Sequence, residues 1–403
     1  MRSKLFLTQF FLFGSVLTIA ACNKSGPPST SSTSSENTIR IGEVGTMTGT
    51  EASFGVGTHR GIQLAVDEIN SNGGINGKKI ELISRDDQGK PEETTSAATQ
   101  LISRYHVTAL IGGLPSSRTM AMAPIAQENK TLLVSPSGTN PKVTDFGDYI
   151  FRVCFIDPFQ GHVMAKFALQ NLKMKNIAIL RDIKSDYSIG LAQFFAETLK
   201  KGGGSVVTEQ SYSSGDIDFK SQLTAIRAKG PQAIFIPGYY TEAALIARQA
   251  RELGMKIPLL GGDGFDSPKF LEIGGNAVNG TYFSTHYSSE DKSPLVQNFI
   301  SKFKETYHII PDGLSTLGYD AVMVLADAIK RASSLAPSST SGTGSTPNSM
   351  PSLTAIRDAL AHTQNFPGIT GNITLDSKRN PVKPAVIQIV EGNRVQYHTS
   401  IMP

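Results

Sequence analysis

The sequence predicts an α/β fold of two doubly wound halves, and three observations carry that expectation. From Thr38 onward, apolar runs of strand length alternate with segments of helical period, the pattern of parallel strands joined by helical crossovers. The same rhythm starts afresh after Asp157-Pro158. With 403 residues, 39% hydrophobic and 18% charged, the chain is long enough to build two cores.

The first 37 residues stand apart from this pattern. MRSKLFLTQFFLFGSVLTIAAC has Arg2 and Lys4, then an apolar run, then small residues before a cysteine, which reads as a secretory signal over 1–21. Its ending, Leu17-Thr18-Ile19-Ala20-Ala21-Cys22, resembles a bacterial lipobox, so Cys22 is expected to carry a lipid that anchors the protein to a membrane. The alternative is an ordinary signal whose cysteine is incidental. Residues 22–37 are rich in Ser and Thr and read as a tether, too polar to bury a core. Removing 1–21 takes away Arg2 and Lys4 and no acid, lowering the formal charge of +4 by two, and nothing in that balance points to nucleic acid.

The first half then reads in order. IRIGEVG is a strand; HRGIQLAVDEINSNGG places Ile62, Ala65, Val66 and Ile69 on one helical face and stops at Asn72-Gly73-Gly74. KKIELISRDD and VTALIGG are the second and third strands, separated by the helix EETTSAATQLISRY. A third helix starts near Ser116, and TLLVSPS is the fourth strand. In the second half, NIAILRD, SVVTEQSY, AIFIPG and PLLGGD are strands between helices over GHVMAKFALQNL, IGLAQFFAETLKK, FKSQLTAIRAK and EAALIARQARELG. Two further helices, LVQNFISKFKETY and LGYDAVMVLADAIKRA, lead to a Ser/Thr/Pro/Gly stretch at 333–352 that reads as a disordered insertion.

Several tempting motifs fail on spacing. Gly55-Val56-Gly57-Thr58-His59-Arg60-Gly61 has its third glycine one residue late for a dinucleotide fingerprint and lies well past the strand. GGINGKK lacks the first glycine of a phosphate loop and reads as a turn. No GxSxG, HExxH or CxxC occurs and the seven histidines are scattered, so neither a catalytic group, a cofactor nor a metal is expected. Cys154, in the apolar string YIFRVCFI, reads as a buried residue with no disulfide partner.

The informative segments lie where strands end and helices begin, since open α/β sheets bind ligands beyond their strand C-termini. Pro115-Ser116-Ser117 would offer a hydroxyl and free N–H groups at a helix N-terminus, a seat for a carboxylate, and Ser137 and Thr139 leave the next strand on the same edge. Asp182 to Tyr187, Gly238-Tyr239-Tyr240 and Gly262-Asp263-Gly264-Phe265 follow strands of the second half. Helix caps and turn residues remain the plain alternative for Ser116, Thr139 and Asp263.

Taken together, RIGEVGTMTGTEASFGVGTHRGIQLAVDEINSNGGINGKKIELISRDDQGKP, GGLPSSRT, SPSGTNP, DYSIGLA, GYYTEA, GGDGF and NITLDSKRNPVKP strongly resemble the branched-chain amino-acid binding proteins of ATP-driven uptake systems. The resemblance covers almost the whole chain from Thr38 and implies a type I periplasmic binding fold, two Rossmann-like lobes joined by three crossing segments and closing on a ligand. It places lobe 1 at 38–156 and 286–385 and lobe 2 at 157–285 and 386–403. It implies that Ser116 and Thr139 hold the ligand α-carboxylate with the Ser137 backbone nearby, and that Asp263 accepts the ammonium. It sets Tyr187 as an aromatic wall and Phe54 and Tyr239 in the side-chain pocket, with Leu114 and Phe265 as neighbours. The implied partners are a small-molecule ligand, expected to be an amino acid, and the membrane permease of an ABC importer. Asp263 stands where leucine binders commonly have a glutamate, and Phe54 where an aromatic hydroxyl is usual. A small amide, a urea-like compound or a carboxylate on the same fold therefore remains an alternative ligand, and a sensing module for a signalling partner an alternative role.

Overall fold

The computed structural model describes residues 38–335 and 350–403; the signal, the tether, Cys22 and positions 336–349 of the expected insertion lie outside the described residues. The first lobe is built on β1 (Thr38–Gly45), α1 (Ala52–Ser71), β2 (Lys79–Asp86), α2 (Pro91–Ser103), β3 (Ala109–Gly112), α3 (Ser116–Glu128), β4 (Leu132–Ser135) and β5 (Ile150–Arg152). Its five strands run parallel in the order β2-β1-β3-β4-β5. Every residue of the ALIG and LLVS strands is buried, as expected of parallel strands covered by helices on both faces.

The second lobe follows with α4 (Asp157–Lys166), β6 (Asn176–Asp182), α5 (Asp186–Lys201), β7 (Ser205–Tyr212), α6 (Lys220–Ala228), β8 (Ala233–Ile236), α7 (Tyr240–Glu252), β9 (Leu259–Gly261), α8 (Pro268–Gly274) and β10 (Tyr282–Thr285). The chain then supplies α9 (Pro294–Tyr307), α10 (Gly313–Leu335), α11 (Leu353–Ala361), the small hairpin of β11 (Phe366–Gly368) and β12 (Gly371–Ile373), and finally β13 (Ala385–Glu391) and β14 (Arg394–Ile401). The second sheet has the order β14-β13-β10-β9-β8-β6-β7, with β13 antiparallel to both β10 and β14. Because α10 packs on α1 and on the first sheet, the chain passes between the lobes three times: after β5, after β10 and before β13.

Two details of α1 explain glycines that the sequence left open. The helix stops at Ser71, and Gly73 and Gly74 take φ of +93° and +83°, the left-handed region that other residues avoid. Gly61, the late third glycine of the rejected fingerprint, lies where α1 crosses α10: a Cβ there would come within 1.8 Å of the Ser315 carbonyl oxygen. Gly318 on α10 meets the Thr58 carbonyl of α1 in the same way, at 2.4 Å. These glycines serve a close helix crossing rather than a phosphate.

The structure also adjusts the element reading. YIFRVCFI supplies β5 and the first crossing, and GTYFSTHY supplies β10; neither was read as a strand, nor was the β13–β14 hairpin. The stretch at 333–352 is partly ordered: α10 runs through Leu335, and the Ser352 side chain caps α11 by accepting the Ala355 N–H. The Ser333 and Ser334 hydroxyls donate back to the Ile329 and Lys330 carbonyls within α10, so the last turn holds serines that on their own favour turns.

Candidate functional site

The site lies between the lobes at the carboxyl ends of both sheets. Phe54, Pro115, Ser137, Thr139 and Leu314 from the first lobe and Tyr187, Tyr239, Asp263 and Gly264 from the second line one narrow cavity. Six of the residues singled out from sequence are thus brought together. Ser116, Leu114 and Phe265 are buried beside the cavity rather than on its wall: Phe265 packs against Phe270 with ring centroids 4.8 Å apart, and Leu114 is tied through its carbonyl to Thr46 Oγ1.

On the first-lobe side the wall is a loop fixed by two neighbours. The Ser116 hydroxyl, at the first residue of α3, accepts the Asn140 N–H at 3.1 Å and does not cap its own helix. Arg152, fully buried, donates to the carbonyl oxygens of Gly138, Asn140 and Pro141 at 2.6, 2.8 and 3.2 Å. With three carbonyls engaged by one guanidinium, the loop after β4 is rigid, and a positive charge lies behind the hydroxyl-rich surface. Thr139 Oγ1 is buried beside Asp157 without closing a well-formed hydrogen bond.

Across the cleft, Asp263 follows β9 and is 6% exposed. Its Oδ1 accepts from Gln160 Nε2 at 2.8 Å and from the Tyr187 hydroxyl at 2.9 Å, and its Oδ2 meets His286 Nε2 at 3.2 Å. Burial pushes His286 down to about 4, so its ring is neutral at pH 7 and must carry its proton on Nε2 to donate to the carboxylate. All three partners are neutral, and among the described residues no lysine or arginine pairs with Asp263. A Cβ at Gly262 would fall 2.3 Å from the Tyr187 hydroxyl and 2.4 Å from Gln160 Oε1, so only glycine lets this cage close.

Asp157, at the start of α4, is a second buried carboxyl; its N–H donates to the Thr139 carbonyl at 2.9 Å, and neither carboxyl oxygen closes a well-formed hydrogen bond. Burial, and then the charge of Asp263, hold its pKa well above the usual carboxylate range. The aromatic wall is continuous: Tyr187 stacks on Tyr239 at 5.3 Å and 16°, and Phe54 meets Tyr239 edge-on at 5.8 Å. Burial raises both phenols far above their ordinary range, so they act as neutral hydrogen-bonding walls.

Asp157, Gln160 and His286 were missed in the sequence. Asp157 and His286 follow β5 and β10, neither of which the sequence marks as a strand, so the rule that ligands sit at strand ends could not reach them. Gln160 lies one helical turn beyond Asp157, on the helix that β5 would have announced. Asp182, by contrast, is a turn-former, taking the N–H groups of Lys184 and Ser214.

The arrangement offers positive potential and hydroxyls on one side, uncompensated negative charge on the other, and aromatic rings between them. It can hold a small molecule of split charge. Among the described residues it provides no activated nucleophile: Cys154 is fully buried, and burial pushes its thiol up to about 12. No group of three or more metal-ligating side chains gathers among the described residues.

A profile described as "Periplasmic binding protein" matches residues 38–393. The chain belongs to the periplasmic binding protein family. Among its relatives is a "Leu/Ile/Val-binding protein homolog 3" of Brucella melitensis, 34% identical over 297 residues that cover 73% of this chain and 80% of the relative. The crystal structure of a leucine-binding protein from Thermotoga maritima superposes with a TM-score of 0.84 at 39% identity, over 91% of this chain and 99% of that one. A branched-chain amino acid transporter substrate-binding protein from Streptococcus pneumoniae, solved in complex with isoleucine, gives a TM-score of 0.82 at 32% identity, over 91% and 100%. Family and fold are those that the sequence resemblance implied.

Proposed function

We propose that this protein is the extracytoplasmic receptor of an ABC importer, capturing a zwitterionic amino acid with a branched or similarly apolar side chain by closure of its lobes. The observation that carries this reading is Asp263: a buried carboxylate served by three neutral donors, across a narrow cavity from the Arg152-backed loop of Ser137 and Thr139. A buried charge without a countercharge costs several kcal/mol, so the arrangement favours a ligand that brings an ammonium to one wall and a carboxylate to the other. Phe54, Tyr239 and Leu314 offer the side chain an apolar wall. The relatives that bind leucine, isoleucine or valine support the same class.

In this reading the protein binds and releases its ligand unchanged, and the lipid on Cys22 keeps it near its permease. Titration calorimetry of the chain from Thr38 with L-leucine, L-isoleucine and L-valine, and with isocaproate and leucinamide, tests it. The amino acids are expected to bind and the two analogues, each lacking one charge, to bind far more weakly. Isocaproate or leucinamide binding as tightly as leucine would refute the split-charge site.

A further inference from the structure

The lobes also meet beside the cavity, at contacts that no ligand atom has to reach. Tyr240 opens α7 and is buried, and its hydroxyl donates to the Thr50 carbonyl at 2.9 Å while accepting the Ser53 N–H at 3.2 Å. The next residue repeats the contact, with Thr241 Oγ1 donating to the same Thr50 carbonyl at 2.9 Å. Ser267 Oγ adds a bond to Ser53 Oγ at 2.8 Å. The Tyr240 ring stands edge-on to Phe54, centroids 4.9 Å apart at 85°. Thr50 in the turn before α1 and Ser53 in its first turn belong to the first lobe, and Tyr240, Thr241 and Ser267 to the second, so all four hydrogen bonds exist only while the lobes are together. Tyr239 lines the cavity whereas its neighbour Tyr240 does not.

We infer that the start of α7 and the Thr50–Ser53 segment that leads into α1 form a latch, with Tyr240 as its positioning residue, that stabilises the closed lobes and so sets one affinity scale for every ligand without choosing among them. The reasoning is thermodynamic. Apparent affinity is the intrinsic affinity of the closed form multiplied by its population, so an interaction outside the ligand contacts scales every dissociation constant by the same factor. Tyr240 serves as donor and acceptor at once, a pair of roles that a phenylalanine of the same shape cannot fill. Burial raises the phenol above its ordinary range, so it keeps the proton it donates to Thr50. Selectivity stays with the residues that line the cavity.

The inference rests on the amino-acid reading for its ligands but has a readout that does not. In Tyr240→Phe, loss of two hydrogen bonds of modest net worth lowers the closing equilibrium about tenfold; for a ligand-free protein closed about half the time, the dissociation constants for L-leucine, L-isoleucine and L-valine are each expected to rise about fivefold, with their ratios unchanged. Ligand-free Tyr240→Phe is expected to show a larger radius of gyration by small-angle scattering than the ligand-free wild type. Thr241→Val removes one bond and should give a smaller uniform loss of about twofold, so it carries the test if Tyr240→Phe does not fold. Unchanged affinity for all three ligands overturns the latch. So does a loss confined to one of them, which would make Tyr240 part of the side-chain pocket. If the wild type binds none of the three, the amino-acid reading fails instead, and the scattering pair alone decides the latch, with equal radii overturning it.

Discussion

Asp263→Asn separates charge from shape at the centre of the site. Asp263 Oδ1 already accepts from Gln160 and Tyr187, and an asparagine carbonyl in the same place can accept both. The Oδ2 position becomes an NH₂ facing His286, and the neutral imidazole can answer by moving its proton to Nδ1, which has no partner now, so that Nε2 accepts. The cage therefore survives the substitution, and the unfolding midpoint of the ligand-free variant is expected to stay close to that of the wild type. What is lost is the charge: a carboxylate has about four acceptor sites, three are used here, and the remaining capacity faces the cavity. One charge-assisted bond to an ammonium is worth about 1.5–3 kcal/mol, so the dissociation constant for L-leucine should rise on the order of tenfold to 150-fold. Calorimetric titration reads this directly. A value within about twofold of wild type would remove Asp263 from the ligand and with it the split-charge argument. Ser116→Ala is expected to cost less than Asp263→Asn, since the Ser116 hydroxyl is already engaged by the Asn140 N–H and the backbone donors of α3 remain.

Two further outcomes follow from burial and packing. His286 is held down to about 4 from 6.5 by burial, so its neutral form favours the fold above pH 6.5, and that stability is lost as pH falls from about 6.5 to about 4, by at most about 3 kcal/mol. Glu51 and Asp266, both raised to about 7 chiefly by burial, gain stability over part of the same descent, so the His286 share is read as the difference between urea unfolding curves of wild type and His286→Gln; parallel pH profiles would contradict it. Gly61→Ala places a methyl against the Ser315 carbonyl and should lower unfolding free energy by about 1–3 kcal/mol or more, while an unchanged urea midpoint would contradict the close crossing of α1 and α10.

Much of this was legible in the sequence because the central strands are simple. ALIG, LLVS and AIFI are buried throughout, and AIFI lies between α6 and α7, whose apolar faces repeat at helical period, so period and length agree there. The strand ends carrying Ser137, Thr139 and Asp263 could be read for the same reason. The elements that escaped were those whose local signal conflicts with their place in the fold. β5 is three residues inside a longer apolar string, and β10 is a four-residue strand ending in Ser and Thr. β14 alternates weakly and is exposed along much of its length, being held in place by pairing with β13. Gln160 and His286 escaped with them: they and the expected Tyr187 come from three separate elements, and only the folded second lobe brings all three to one carboxylate. Arg152 is similar, since a buried arginine has no pattern of its own and is explained only by the three carbonyls it meets.

A crystal structure of the protein soaked or grown with L-leucine tests the central claim most directly. The account predicts leucine between the lobes with its ammonium within hydrogen-bonding distance of Asp263, its carboxylate on the Ser137–Thr139 loop and the start of α3, and its side chain against Phe54 and Tyr239. Leucine bound outside the cleft, or held with its carboxylate against Asp263, would contradict it.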